Sequence, residues 1–413
     1  IKSITIFFRI SLFCSNFVSQ NEKSMKLHVF NPDTDLALAC NGKHYLAPEQ
    51  VRGMTRDLAL LPLWYARAGE KVWIPDGKAM LYASQMCLLF NLQVEVVTGA
   101  DVMRMEEVEM SPWGWNPAIR HFFLKNGVAA GRLPSADEIE TYRTLASRQT
   151  SAALLGKLPA DGACCGEAEV LKTLDACRTY VEAHQGGVVF KAPWSSSGKG
   201  LCWCRNGFSA VEGWCGRVLK EQGVLIASPI YNKVDDFAME FVIDACGKVV
   251  FEGYSLFMTD RRGRYLGNRV LSSALFEAYM SRYVTVGVLD SLRTCVALLL
   301  EEYAEAGYRG PLGVDMMVCK EGDGFRLHPM VEVNLRMNMG IVALRLAERV
   351  LAPGLSGLFH IEHYPAPGAL YEAYAERMRK SAPVIEGGRL VRGCLPLAPV
   401  TSESRCLALL EVD

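Results

Sequence analysis

Two apolar stretches joined by a turn constrain this chain most. Gly313-Val314-Asp315-Met316-Met317-Val318 and Val331-Glu332-Val333-Asn334-Leu335-Arg336 flank Lys320-Glu321-Gly322-Asp323-Gly324, whose composition favours a β-hairpin. Side chains alternate along a strand, so Glu332, Asn334 and Arg336 share one face. Folding about Gly322 and Asp323 brings Asp315 opposite Met330 to Glu332, pointing the same way. Two carboxylates and an amide oxygen then converge beside a guanidinium. Hard oxygen donors of this kind suit Mg²⁺ or Mn²⁺, held together with substrate phosphates. A solvated polar face is the plainer alternative, and three liganding side-chain types amid Met and Val argue against it. His328 shares a face with Glu332, so it either reaches the site or, as is commoner for a lone histidine there, is a structural hydrogen-bonder.

The 413 residues are 50% hydrophobic, enough for about two or three domains. With 44 basic and 45 acidic residues the formal net charge is −1, so no field for nucleic acid or a membrane surface is expected. The 14 cysteines include adjacent Cys164-Cys165 and alternating Cys202-x-Cys204, but no Cys-x-x-Cys pair. They read as small buried hydrophobes in a reducing, cytoplasmic setting, without a zinc site. Residues 1–24 differ from the rest. Ile4 to Phe13 is apolar, but Arg9 interrupts it and no small-x-small cleavage site precedes Cys14. The segment is expected to be an upstream or disordered extension rather than a targeting signal. No later stretch has the ~20 uncharged apolar residues of a membrane span.

Residues 25–125 read as α/β, with strands at Leu27–Phe30, Lys71–Ile74 and Leu92–Thr98 and an amphipathic helix at Asp57–Ala68. Strands alternating with helices favour a parallel sheet. Asn31-Pro32-Asp33-Thr34-Asp35 follows the first strand. It is either a ligand loop at a strand's carboxyl end or an Asx-type cap of the next helix. Pro112-Trp113-Gly114-Trp115-Asn116-Pro117 is an aromatic loop suited to a boundary or hinge. Ser135 and Glu138 form a capping box. Helices are predicted over Arg148–Leu155, Glu167–His184, Val284–Ala306 and Gly340–Val350. Strands are predicted over Val188–Lys191, Gly200–Arg205, Val224–Ser228, Phe237–Asp244 and Lys248–Phe257. Residues 365–413 read as a C-terminal extension with a helix and a small hairpin. The boundaries expected are 25–125, 126–230, 231–364 and 365–413.

Lys191 ends an apolar strand, an expensive place for a charge unless an anion meets it. The loop that follows, Ser195-Ser196-Ser197-Gly198-Lys199-Gly200, is small enough for its N–H groups to approach phosphate oxygens. It is not a Walker A loop, because Gly200 follows Lys199.

In this order of parts the chain resembles the ATP-grasp superfamily of carboxylate–amine ligases over about residues 140–350. The resemblance implies an N-terminal α/β pre-ATP-grasp domain followed by two α+β lobes that sandwich ATP. Lys191 and Arg148 would then serve the phosphates, and Ser195 to Gly200, including Ser196, Ser197, Gly198 and Lys199, would form a lid. Asp315, Glu332 and Asn334 would hold Mg²⁺, and Arg336 would contact the γ-phosphate or an acyl phosphate. Leu225 to Ile230 would bind adenine. Ser228 stands where the family often carries a ribose-binding Glu; Glu240 either substitutes nearby or is a strand-face residue. The basic run Phe257 to Arg269 is a substrate loop or a solvated hairpin, with Arg269 the leading carboxylate contact. The reaction implied is ATP-dependent activation of a small carboxylate as an acyl phosphate for attack by an amine or thiol. A nucleotide-binding protein without turnover and a phosphotransferase remain open. Homodimerisation is compatible with the family.

Overall fold

The computed structural model describes residues 25–159, 162–195, 198, 200–366 and 368–413. The predicted extension 1–24 and the lid residues Ser196, Ser197 and Lys199 lie outside the described residues. The chain builds three sheets. The first is parallel, ordered Glu95–Val97, Lys71–Trp73, Met25–Val29, Val108–Pro112. The strand order reverses at Met25–Val29, so the Asn31–Asp35 loop leaves the sheet at its switch point, where open α/β sheets place ligands.

The second sheet is antiparallel, ordered Glu169–Leu171, Leu225–Pro229, Val188–Lys191, Leu201–Cys204. The third is antiparallel with nine strands. Its order is Gly324–Asn334, Gly310–Glu321, Lys233–Ile243, Val249–Thr259, Tyr265–Val270, Gly357–His363, Cys406–Val412, Arg389–Pro396 and Val384–Glu386. Period-two alternation gives this sheet its two faces. Phe237, Met239, Phe241 and Ile243 sink into a core beneath the helix Val286–Glu305, while Asp236, Ala238 and Glu240 line a cleft. The helix presents Leu289, Leu292, Val296, Leu300 and Tyr303, a stripe at helical spacing, to that core.

Most predicted elements are found within a residue or two, and Arg148–Leu155 and Val188–Lys191 have the predicted bounds. The capping box is present, with Glu138 N–H donating to Ser135 Oγ at 3.1 Å and Ser135 N–H to Glu138 Oε2 at 2.7 Å. Two helices differ. In place of Asp57–Ala68 the helix is Glu49–Asp57, followed by a 3-10 turn at Leu61–Trp64. Pro62 has no N–H to give and disfavours a helical residue before it, and the apolar segment 58–66 is buried on all sides. In place of Glu167–His184, an edge strand Glu169–Leu171 precedes a helix Leu174–Ala183 whose N-cap Thr173 accepts from Ala176 N–H at 3.1 Å.

Residues 365–413 are no appendage. A helix, Ala369–Lys380, leads into strands that complete the nine-stranded sheet, with Cys406–Val412 pairing directly to Gly357–His363. Leu395, Leu397, Ala408 and Leu410 share a core with Trp64, Val342 and Leu346, and Trp64 Nε1 donates to the Leu397 carbonyl at 2.7 Å. Leu410→Ala is therefore expected to cost about 2–5 kcal/mol in chemical denaturation, the range for a fully buried leucine. A loss under 0.5 kcal/mol would mean that this strand is peripheral.

Candidate active site

The hairpin folds in the predicted register. Asp315 pairs with Glu332 and Gly313 with Asn334, with an irregularity between Asp315 and Met317. All four positions face a cleft of about 450 Å³ or its floor. Asp315, Glu332, Asn334, Glu240, Lys191, Arg148, Ser195, Gly198, Ser228 and Arg336 all line it. Burial, then the neighbouring Glu332 and Glu240 carboxylates, hold the Asp315 carboxyl well above the usual range, against opposing pulls from Asn334 and Arg336.

Arg148 opens its helix after the N-cap Ser147 and is 5% exposed. Its guanidinium donates to the Ala192 carbonyl at 2.8 Å, Ser195 Oγ at 2.6 Å and Glu332 Oε2 at 2.6 Å. It thus ties the start of the lid to the acidic floor. Lys191 is 7% exposed and makes no hydrogen bond among the described residues. Burial and then the Arg148 charge push its ammonium down to about 8, with Glu332 opposing. Gly200 is buried rather than a cleft liner, and a Cβ there would overlap Ser195 Oγ. Gly198 has φ +72° and lies against Gly263, where a Cβ would come within 2.6 Å of the carbonyl oxygen. This end of the lid therefore touches the turn before Tyr265–Val270.

Arg336 sits past the end of its strand. It binds both Asp35 oxygens, Nε at 3.1 and 3.0 Å and Nη2 at 2.8 Å. Nη2 also donates to Asn334 Oδ1 at 2.9 Å and Nη1 to the Met337 carbonyl at 3.2 Å. Most of its donors are therefore committed. The Asn31–Asp35 loop supplies this partner. Asn31 Nδ2 braces the aromatic loop through the Gly114 carbonyl at 2.8 Å, while Asp33 makes no side-chain cap bond. Gly114 is wedged so tightly that a Cβ would lie 2.6 Å from Thr34 and 2.9 Å from Arg336.

Glu240 is 1% exposed and doubly held, by Ser255 Oγ at 2.7 Å and Asn338 Nδ2 at 2.7 Å. Asn338 also caps the helix Met339–Arg349. Burial pushes the Glu240 carboxyl up to about 7, against those two bonds.

The structure does not bring Arg269 to the cleft. It is exposed and lies 5.2 Å from the Tyr279 ring centroid. Asn268, 1% exposed, takes the inward position. The readable signal was apolar Val270, which shares the parity of Asn268 and not of Arg269. His328 lines the cleft but is not the hydrogen-bonder expected: neither ring nitrogen has a partner among the described residues. Lys233 and Asp236 line the cleft unforeseen, beside Thr259 of the predicted substrate run, whose Oγ1 donates to Asp236 Oδ2 at 2.6 Å. Only their alternation on neighbouring strands marked them.

Among the described residues no group of three or more His, Cys, Asp or Glu forms a metal cage. No described helix is long and apolar enough to cross a membrane. No family model matches the chain, and no curated protein does. Solved structures do match. An N5-carboxyaminoimidazole ribonucleotide synthetase, solved as its ADP complex, is 10% identical with a TM-score of 0.51, over 94% of this chain and 93% of that one. A biotin carboxylase from Campylobacter jejuni, solved as a beta-gamma-ATP complex, is 14% identical with a TM-score of 0.51, over 94% and 87%. The chain has the ATP-grasp fold. An α/β unit is followed by sheets that both contribute residues to the cleft of about 450 Å³.

Glu240 gives a pH test. Its native carboxyl binds a proton more tightly than the unfolded one, so the native state holds more protons between pH 4.5 and about 7, and stability falls as pH rises through that window. Glu240→Gln can keep both hydrogen bonds without the charge. In metal-free denaturation it is expected to be more stable than wild type at pH 8 by at most about 3 kcal/mol, the gap closing by pH 4.5. A pH-independent difference would contradict the assignment.

Proposed function

We propose that this chain is an ATP- and Mg²⁺-dependent ligase that activates a carboxylate as an acyl phosphate for attack by an amine or thiol. One observation carries the reading: two carboxylates in direct register, Asp315 and Glu332, crowd the floor of a cleft that also exposes a buried lysine with no hydrogen bond among the described residues. Like charges forced together in a low-dielectric site call for a cation, and a buried lysine calls for an anion. Metal-bound polyphosphate answers both. The donor set fits Mg²⁺, which takes one or two carboxylates and completes its shell with phosphate and water. Both structural neighbours were solved with an adenine nucleotide, which supports the same ligand.

In this reading Asp315, Glu332 and Asn334 hold the metal. When bound, Mg²⁺ and ATP supply charge neutralisation and the phosphoryl group. Lys191 meets phosphate oxygens, and Arg148 positions Glu332 while anchoring the lid through Ser195. Arg336 fixes the Asn334 amide and keeps one Nη1 proton for an anion. The dry, preorganised donors do the positioning that this chemistry needs.

The test is Mg²⁺-dependent ADP release over a panel of amino acids and small carboxylic acids, with and without hydroxylamine. Substrate-dependent ADP with hydroxamate is expected; ADP without hydroxamate would favour a phosphotransferase, and ATP binding without ADP would favour a non-catalytic protein. Glu332→Gln is expected to lower turnover on the order of 10²-fold or more. Lys191→Ala is expected to weaken Mg·ATP binding by about tenfold in calorimetry, the loss of one charge-assisted contact. Unchanged values would remove these residues from the site.

A further inference from the structure

The metal and phosphate reading leaves one wall of the cleft without a task. Pro32, Met54, Met339 and Ile361 line it, and each is half-buried, so apolar surface stays open to a ligand. They come from distant parts of the chain: the loop after Met25–Val29, the helices Glu49–Asp57 and Met339–Arg349, and the strand Gly357–His363. Met54, Met339 and Ile361 back onto one core, which also contains Trp113. Apolar surface in a concave site favours an apolar ligand, by about 25 cal/mol for each Å² covered.

This wall adjoins Arg336. The Trp113 carbonyl accepts from Met337 N–H at 2.7 Å, the Met337 carbonyl accepts from Arg336 Nη1 at 3.2 Å, and Gly114 packs against the Arg336 side chain. Among the described residues the other Lys and Arg side chains of the cleft are Arg148, Lys191 and Lys233. Arg148 is engaged by Ala192, Ser195 and Glu332. Lys233 is bonded to Asp236 and Thr259, and Lys191 lies on the second sheet. Asn268 has its amide committed to Tyr265 and to the Leu256 carbonyl. One free guanidinium proton therefore stands beside apolar surface. That matches a molecule with one negative charge and hydrocarbon behind it. A second charge would be desolvated against this wall, with no cleft cation left to meet it among the described residues.

We infer that the acid activated here is a monocarboxylate with an apolar body, its carboxylate at Arg336 and its hydrocarbon against Pro32, Met54, Met339 and Ile361. The inference rests on the ligase reading above and names its substrate class. In that reaction a carboxylate oxygen attacks the γ-phosphorus, the bond from phosphorus to the β,γ-bridging oxygen breaks, and ADP leaves with that electron pair. Hydroxylamine then displaces phosphate to give the hydroxamate. The wall takes no part in these bonds; it selects by desolvation. The flexible thioethers of Met54 and Met339 adapt to bodies of different shape, so straight-chain and aromatic acids share the class.

The experiment supplies the full chain with Mg·ATP, hydroxylamine and three acids of equal length: hexanoate, adipate and 6-aminohexanoate. A fourth acid, 3-phenylpropanoate, tests shape. Hydroxamate formation is read as kcat/KM. Hexanoate and 3-phenylpropanoate are expected to exceed adipate and 6-aminohexanoate by about 100-fold or more. Ile361→Lys places a cation on the wall and is expected to narrow the hexanoate-to-adipate ratio by about tenfold or more. Ile361→Ala, milder for folding, is expected to lower kcat/KM for hexanoate by about tenfold, mainly through KM, and to leave adipate unchanged. Mg·ATP calorimetry on each variant checks that the nucleotide site is intact. Equal kcat/KM for hexanoate and adipate overturns the inference and leaves the ligase reading standing. So does an equal loss for both acids in Ile361→Ala, which assigns Ile361 to packing. Hydroxamate from polar acids of the wider panel but from neither apolar acid overturns it in the same way. Hydroxamate from no acid at all overturns the ligase reading itself.

Discussion

Two arginine–carboxylate pairs hold the site together. Arg336 grips Asp35 from the first unit of the chain through both oxygens, and Arg148 grips Glu332 from the helix that precedes the second sheet. Each pair joins residues far apart in sequence across a seam between sheets. Planar guanidinium forks suit this task, because they fix direction as well as charge. The same two arginines balance the acidic floor: Arg336 lies beside Asp315 and Asn334, and Arg148 beside Glu332 and Lys191. Geometry of the cleft and electrostatics of the cleft are therefore one arrangement.

The balance is incomplete, and that is informative. Asp315 remains crowded by two carboxylates, and among the described residues Lys191 has no hydrogen bond and three polar atoms of His328 and Ser228 have no partner. Each is unfavourable in isolation. They occur together around one cleft. The metal-bound polyphosphate proposed above would relieve the first two at once.

Much of this was legible in the sequence. The hairpin register followed from turn residues and period-two alternation, which placed Asp315 opposite Met330 to Glu332; the irregularity between Asp315 and Met317 sets the pairing at Glu332. The strand that ends in Lys191 and the helix that opens with Arg148 were readable from apolar runs and their ends. What escaped depended on long-range partners. Asp35 stood in a segment read as a ligand loop or a helix cap, and neither reading contained its ion pair with Arg336, 301 residues away. Arg269 drew notice as a charge, whereas burial selected its neutral neighbour Asn268. Apolar residues 58–66 looked amphipathic until Pro62 and burial on every side were considered. The C-terminal strands were weakly patterned, and the place of the last one in the nine-stranded sheet is set by distant pairing partners, such as Cys406 with His363, 43 residues away.

The most direct test of the acidic floor is Mn²⁺ binding followed by electron paramagnetic resonance, in the presence and absence of ATP. The account predicts that ATP raises the bound Mn²⁺ fraction on wild-type protein and that Asp315→Asn abolishes this rise. Mn²⁺ binding that ignores ATP, or that survives Asp315→Asn unchanged, would contradict it.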